Sequence, residues 1–149
     1  MRYTVRFAHL KKQSPLAVGT KVTRGMRLGE IGNTGQSTSR HLHIDNIEDW
    51  IDVHYTLATM EIGGVSPSPR QLNYFIDEEL FGGNPFHITA HYCDPKYQYE
   101  RKKLHYGYDI VLDDVGAWEL FWNRTPLGVI LVNRNHKYYG NHLCIGYEV

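Results

Sequence analysis

The 149 residues of the chain contain no closely spaced cysteine pair, no excess of one charge and no long apolar run. The two cysteines, Cys93 and Cys144, form no CxxC pair, which argues against a disulfide framework or a thiolate zinc site and leaves one bridge between them open. Lys plus Arg and Asp plus Glu each number 16, so nothing favours nucleic acid as a partner. No apolar run approaches the roughly 20 residues that a membrane span needs.

Export and anchoring signals are also lacking. The opening sequence MRYTVRFAHLKKQ contains no apolar stretch of signal-peptide length. We therefore expect the chain to carry no export signal of its own.

Glycine and aromatic residues are abundant. The chain has 14 glycines and 11 tyrosines, and 42% of its residues are hydrophobic, which favours short strands and tight turns over helical bundles. Alternation of apolar and polar residues predicts several strands. They lie at 2–10, 41–46, 86–92, 106–112, 127–133 and 142–149. The predicted fold class is mainly β, a β-rich α+β fold with an antiparallel sheet core.

One helix is predicted, over residues 70–81, where apolar side chains recur near a 3.6-residue period. Ser68-Pro69 suits its start and Gly82-Gly83 its end. The chain length fits a single domain over residues 1–149, and the helix lies in a connecting segment.

Nine histidines raise the question of a metal, and their spacing is more informative than their number. His41 and His43 form an HxH on a predicted strand, where the period of two points both imidazoles to one face. His105 and Asp109 form an HxxxD whose glycine permits a close approach. Zinc accepts imidazole nitrogen and carboxylate oxygen, and a catalytic site has three protein ligands with one open position. Either pattern alone also occurs by chance.

The segments around these residues resemble the lysostaphin-type (LytM-like) zinc endopeptidases. VTRGMRLGEIGNTG fits the family pattern V-x-x-G-x-x-[IL]-G-x-x-G-x-T-G. In this chain QSTSR follows the pattern and leads into HLHI. LHYGYDIV is similar to the family's H-x-G-x-D segment, and FAHL is similar to its Y-A-H-L segment. The resemblance implies an antiparallel β-sheet core of the lysostaphin/LytM peptidase type.

The order of the motifs differs from that of the family, in which H-x-G-x-D comes first, AHL second and HLH last. A circular permutation reconciles the two orders. Residues 1–46 would then be the family's C-terminal half, residues 47–85 a linker that contains the helix, and residues 86–149 the family's N-terminal half. This interpretation requires the two chain ends to lie near each other.

Residue roles are implied by the resemblance, motif by motif. His105, Asp109 and His43 would bind Zn²⁺, and His41 would act as general base or proton shuttle. His9 would orient water or stabilise the oxyanion. A tyrosine would supply a further oxyanion donor, with the choice open among Tyr92, Tyr97 and Tyr99.

The implied function is a zinc-dependent endopeptidase that cleaves peptide cross-links or bridges of bacterial peptidoglycan. The missing signal peptide and the motif order favour a phage enzyme, virion-associated or released to the host cell wall, with other tail or virion proteins as further partners. The alternative is a non-catalytic LytM-like component of a phage tail that binds the cell wall or has a structural role.

Overall fold

A computed structural model gives the fold of the chain over residues 2–46, 76–91, 94–101, 105, 107–113, 116–125 and 127–148. These residues form nine strands, one α-helix and one short 3₁₀ helix. The predicted mainly β class is confirmed. Within the described residues, no helix is long and apolar enough to cross a membrane.

The strands form two antiparallel sheets. The bounds of the strands, in chain order, are β1 Arg2–Leu10, β2 Lys21–Val22, β3 Arg27–Glu30, β4 Leu42–Asn46, β5 Phe86–Ala90, β6 Tyr108–Leu112, β7 Glu119–Phe121, β8 Gly128–His136 and β9 Gly140–Glu148. Seven strands make the larger sheet in the order β2-β8-β9-β1-β4-β6-β5, and β3 pairs with β7 in the smaller one. Strands from the N-terminal part (β1, β2 and β4) and from residues 86–148 (β5, β6, β8 and β9) are therefore intermixed in one sheet.

Each strand of the large sheet points alternate side chains to opposite faces. On β1 and β4 the core face carries Phe7, Leu42 and Ile44, all fully buried. The same apolar cluster includes Leu28 of β3 and Leu120 of β7, so the core joins the two sheets. The opposite face of the large sheet is left for polar side chains.

The helix prediction needs correction. Among the described residues of the predicted span 70–81, the chain is non-helical at 76–77 and forms only the 3₁₀ helix Glu78–Phe81. Asp77 is extended and its side chain accepts a hydrogen bond from the Leu80 amide, so a helix begins after Asp77 and does not run through it. Gly82 ends this helix in the left-handed conformation, as predicted. Residues 70–75 and Ser68-Pro69 lie outside the described residues.

An α-helix that the apolar pattern did not predict, α1, spans Pro95–Arg101. None of its residues is buried, so it has no apolar stripe by which periodicity could reveal it. Asp94 caps it, since its Oδ1 accepts from the amides of Lys96 at 3.0 Å and Tyr97 at 3.4 Å. Asp followed by Pro is a helix-start signal that could have identified α1.

The turn between β8 and β9 packs tightly against the loop that follows β3. Gly140 has φ of 62°, and a Cβ there would lie 2.4 Å from the Thr34 carbonyl carbon. The Thr34 hydroxyl donates to the Leu10 carbonyl at 2.5 Å, and the Asn141 amide donates to that hydroxyl at 3.1 Å. This contact holds two of the segments that border the cleft described below.

A left-handed conformation costs a residue with a Cβ about 1–2 kcal/mol. We expect Gly140→Ala to lower the free energy of unfolding by more than this, because the new Cβ also displaces the Thr34 backbone. Gly19→Ala is the matched control, since Gly19 has φ of 92° with nothing within 4 Å. Urea unfolding of both variants measures the difference. Equal losses would contradict the proposed packing of turn and loop.

Candidate metal centre and cleft

Strand register brings the predicted site residues together on the polar face of the large sheet. His43 of β4 lies opposite Ala8 of β1 on one side and opposite Asp109 of β6 on the other. Because the side-chain period of a strand is two, Ile44 and Ile110 then point to the core. The core thus fixes the register that aligns His43 with Asp109.

Three side chains converge at this point. One ligand atom from each of His43, His105 and Asp109 lies within 4.8 Å of the others. His43 Nδ1 is 2.9 Å from Asp109 Oδ1, and His105 Nε2 is 3.2 Å from Asp109 Oδ2. These are two nitrogens and one carboxylate oxygen, a donor set that suits zinc and leaves a fourth position open.

Glycine at position 107 makes this approach possible. A Cβ at Gly107 would lie 2.5 Å from the Ile44 carbonyl oxygen and 2.9 Å from His43 Cε1. Any larger residue would push the 105–109 segment away from β4. The sequence analysis assigned this glycine to a close approach between His105 and Asp109, whereas the contacts at Gly107 are with β4.

The other ring nitrogen of each histidine in the trio has its own partner. His105 Nδ1 donates to the His91 carbonyl at 2.9 Å, and His43 Nε2 lies 3.1 Å from Asp45 Oδ2. A carbonyl or carboxylate behind a metal-binding histidine fixes its tautomer and ring orientation. His105 Nε2 and His43 Nδ1 are therefore the nitrogens available for a metal.

Burial and hydrogen bonds shift the proton affinities of the trio. Burial would lower the pKa of His43, but its bonds to Asp109 and Asp45 outweigh this and raise the pKa to about 9. Burial would raise the pKa of Asp109, yet His105 and His43 hold it far below its usual range. The two carboxylates therefore favour a protonated His43, and this proton would have to leave before the ring could bind a metal ion.

His9 occupies an unusual backbone position at a bulge in β1. The register of β1 with β9 shifts between Phe7 and Leu10, and His9 has φ of 65°. Among described residues other than glycine, no other has positive φ. The His9 amide donates to the Tyr139 carbonyl at 2.7 Å, and its carbonyl accepts from the Gly32 amide at 2.9 Å. Such conformations persist where surrounding contacts hold them, often at functional sites.

The imidazoles of His9 and His41 lie beside the trio, with ring centroids 4.7 Å apart. His9 Nδ1 donates to the Thr34 carbonyl at 2.7 Å, and His41 Nδ1 donates to the Ser39 carbonyl at 2.8 Å. In the neutral rings, each Nε2 is then an acceptor. His41 Nε2 is 3.7 Å from Asp109 Oδ1. Burial, reinforced by the charges of His41 and His43, lowers the pKa of His9 to about 4, so this ring is neutral near pH 7.

An open cleft contains all five predicted residues. The side chains that line it are His9, Gln36, Ser37, Thr38, His41, His43, Tyr97, Arg101, His105, Asp109, Tyr138 and Tyr139. Of the three candidate tyrosines, Tyr97 lines the cleft and its ring centroid is 4.4 Å from that of His105. Tyr99 is not among the residues that line the cleft and is 77% exposed, while Tyr92 lies outside the described residues.

Sequence reasoning missed several residues of this region. Tyr138 and Tyr139 come from the β8–β9 turn, and Arg101 ends the unpredicted helix α1. Asp45 was also missed, although HLHID places a third polar residue on the face shared by His41 and His43. That spacing was a usable signal, whereas nothing in the sequence ties the turn tyrosines to the cleft.

Comparison with known proteins agrees with the N-terminal motifs. Residues 1–53 match the model of peptidase family M23, the family of LytM-like peptidases. The matched segment contains His9, His41 and His43 and ends before helix α1. No solved structure matches the chain. The predicted family resemblance is thus confirmed over this segment, and it indicates a peptidase.

The lowered pKa of His9 predicts a pH-dependent cost to stability. Below its ordinary value of 6.5 the unfolded chain binds a proton that the folded chain refuses until about pH 4, so stability falls across that window. In His9→Asn, whose side chain tolerates positive φ, this contribution disappears. We expect the variant to lose less free energy of unfolding than wild type between about pH 7.5 and about pH 5.

Urea unfolding at the two pH values measures this loss of free energy. His87→Asn is the control, because His87 is an exposed histidine on edge strand β5, and its loss should match that of wild type. A loss in His9→Asn as large as that in wild type would show that His9 protonates freely in the folded chain.

Proposed function

We propose that this chain, whose residues 1–53 match peptidase family M23, is a zinc-dependent endopeptidase that cleaves peptide cross-links or bridges of bacterial peptidoglycan. The observation that carries the proposal is the convergence of His43, His105 and Asp109 across strands β4 and β6. Two of these residues lie far outside the matched segment. The spatial site therefore supports the proposal independently of the sequence match.

The donor set fits zinc in number and kind, with His43, His105 and Asp109 as the holding residues. Bound there, zinc would polarise a peptide carbonyl and make water a nucleophile near neutral pH. Family membership of the matched segment agrees with this chemistry.

His41 is suited to proton transfer. Its Nδ1–H is held by the Ser39 carbonyl, which leaves the Nε2 lone pair facing the cleft near Asp109. A neutral imidazole with a free acceptor can take a proton from water and pass it to the leaving amine. We assign His41 the role of general base and then general acid.

His9 has a narrower role than its motif alone suggests. Its Nδ1–H donates to Thr34, and its ring is neutral near pH 7, so its Nε2 accepts hydrogen bonds and does not donate them. This geometry favours orientation of the water over stabilisation of an oxyanion. Tyr97 in the same cleft is then the candidate oxyanion donor, because a phenol can donate.

The rival function is a LytM-like component without catalytic activity, which would bind the cell wall or have a structural role in a phage tail. Loss of metal-binding or proton-transfer residues would favour this non-catalytic function. Here His9, His41 and the trio all line one cleft, which favours the enzyme. A place in a virion or at the host cell wall remains part of the proposal, to be tested by locating the chain in purified particles.

Two histidine variants separate metal binding from proton transfer. We expect His43→Ala to lose both bound zinc and muropeptide release, because a ligand is removed. His41→Ala should keep its zinc and lose activity by roughly 10²–10⁴-fold, the usual contribution of a general base. Zinc content by elemental analysis and release of soluble muropeptides from purified cell walls measure both quantities.

His87→Ala serves as the control for these variants, because His87 lies outside the cleft lining. Full zinc content in His43→Ala would refute the ligand assignment. A wild-type chain that binds zinc but releases nothing from several wall types would favour the non-catalytic rival.

The unusual motif order supports a second part of the proposal, that the chain is circularly permuted relative to its family. Arg2 of β1 is the register partner of Glu148 of β9, and these strands are neighbours in the large sheet. Joining the ends there would turn β9 and β1 into an ordinary antiparallel hairpin. The motifs would then follow the family order.

Rearranging the chain tests this directly. A variant that joins residue 149 to residue 1 through a short glycine-containing turn, and opens the chain within 47–75, should fold and bind zinc as tightly as wild type, because every described strand pair is preserved. Circular dichroism and zinc titration measure this. A rearranged chain that folds but has lost zinc binding would contradict the permutation.

A further inference from the structure

A buried acid lies directly behind the metal-binding trio. Asp45 follows His43 by two residues on β4, so both side chains share the polar face. Only 2% of Asp45 is exposed, and its Oδ2 lies 3.1 Å from His43 Nε2. This is the ring nitrogen that points away from Asp109.

Arg6 holds the same carboxylate from the neighbouring strand. Arg6 of β1 and Asp45 of β4 are register partners, and the guanidinium binds both carboxylate oxygens, Nε to Oδ1 at 2.8 Å and Nη2 to Oδ2 at 2.7 Å. The Tyr139 ring covers the guanidinium with its centroid 3.6 Å from Cζ. Asp45 therefore has one fixed orientation.

The Tyr139 contact links this arrangement to the other side of the cleft. The Tyr139 carbonyl accepts the hydrogen bond of the His9 amide at 2.7 Å. A continuous series of contacts thus runs from His43 through Asp45, Arg6 and Tyr139 to the strained backbone of His9.

A purely structural ion pair is the simpler explanation, and it accounts poorly for two features. Strands β1 and β4 are already joined by four register pairs, and a buried ion pair adds little net stability because desolvation offsets its attraction. In addition, Asp45 Oδ2 is shared between Arg6 and His43, and strand pairing alone does not require the imidazole contact.

We propose that Asp45 and Arg6 are positioning residues that lock the tautomer and orientation of His43 so that Nδ1 faces the metal position. Asp45 accepts the Nε2 proton, which leaves the Nδ1 lone pair for the metal, and Arg6 prevents the carboxylate from rotating. This inference rests on the proposed zinc-binding function. It concerns affinity for the metal and is measurable without any peptidase assay.

The test compares zinc affinity among three variants by competition with a chromophoric chelator. The two oxygens of Asp45 together face three N–H groups, Nε and Nη2 of Arg6 and Nε2 of His43. In Asp45→Asn one oxygen becomes an NH₂ group, so at least one of the three N–H groups loses its acceptor and the carboxylate charge is lost. We expect zinc binding to weaken by about 10–100-fold, the usual effect of losing such a partner. Arg6→Lys keeps the charge without the two-pronged contact and should fall between wild type and Asp45→Asn.

Asp77→Asn is the matched control, because Asp77 is a half-buried aspartate hydrogen-bonded to Asn123 at 3.0 Å outside the cleft lining. Its zinc affinity should equal that of wild type. The absorption spectrum of the Co²⁺-loaded chain provides a second readout, since a reoriented His43 changes the ligand field and a merely less stable fold does not.

The outcomes separate this inference from the proposed function. A folded Asp45→Asn variant with wild-type zinc affinity and an unchanged Co²⁺ spectrum would overturn the positioning role. If Asp45→Asn does not fold, Arg6→Lys decides, with weakened binding in a folded chain supporting the role and unchanged binding overturning it. A wild-type chain that binds no zinc would overturn the proposed function, and this inference with it.

Discussion

The alignment of three strands, β1, β4 and β6, is the constraint on which the rest of the site depends. His43 meets Asp109 across one strand boundary, and the next polar residue of the strand, Asp45, meets Arg6 across the other. A slip of one residue would turn these side chains into the core and expose Ile44. The free energy of burying the apolar face therefore also holds the candidate metal ligands in register, although none of them belongs to that face.

Charge balance explains how so many ionisable groups share a small volume. The Arg6 guanidinium and the Asp45 carboxylate form an ion pair. Burial would raise the pKa of Asp45, but contacts with His43 first and Arg6 second hold it below its usual range. Asp45 and Asp109 both act on the charge of His43, from opposite sides of its ring. His9 and His41 stand beside this centre, and a neutral His9 adds no positive charge that would repel the cation.

The sequence predicted those parts that rest on local period or spacing. Alternation located β1, β4 and β6. The HxH and HxxxD patterns, taken together with the family resemblance, named the residues that meet in the cleft. Prediction from the sequence failed where contacts are non-local or where periodicity is weak. Helix α1 buries no side chain, and the bulge that aims His9 depends on the distant Tyr139 carbonyl. The Arg6–Asp45 pair spans 39 residues, so only register could reveal it.

The order of the motifs along the chain has little bearing on the geometry of the centre. A ligand trio is defined by which strands are neighbours and by their register, and both are properties of the sheet. The pairing of Arg2 with Glu148 shows that the two ends of the described chain are hydrogen-bonded neighbours in that sheet. A connection between β9 and β1 could therefore replace one elsewhere in the chain while β1, β4 and β6 keep their register. For this reason, a family pattern is better compared in space than in linear order.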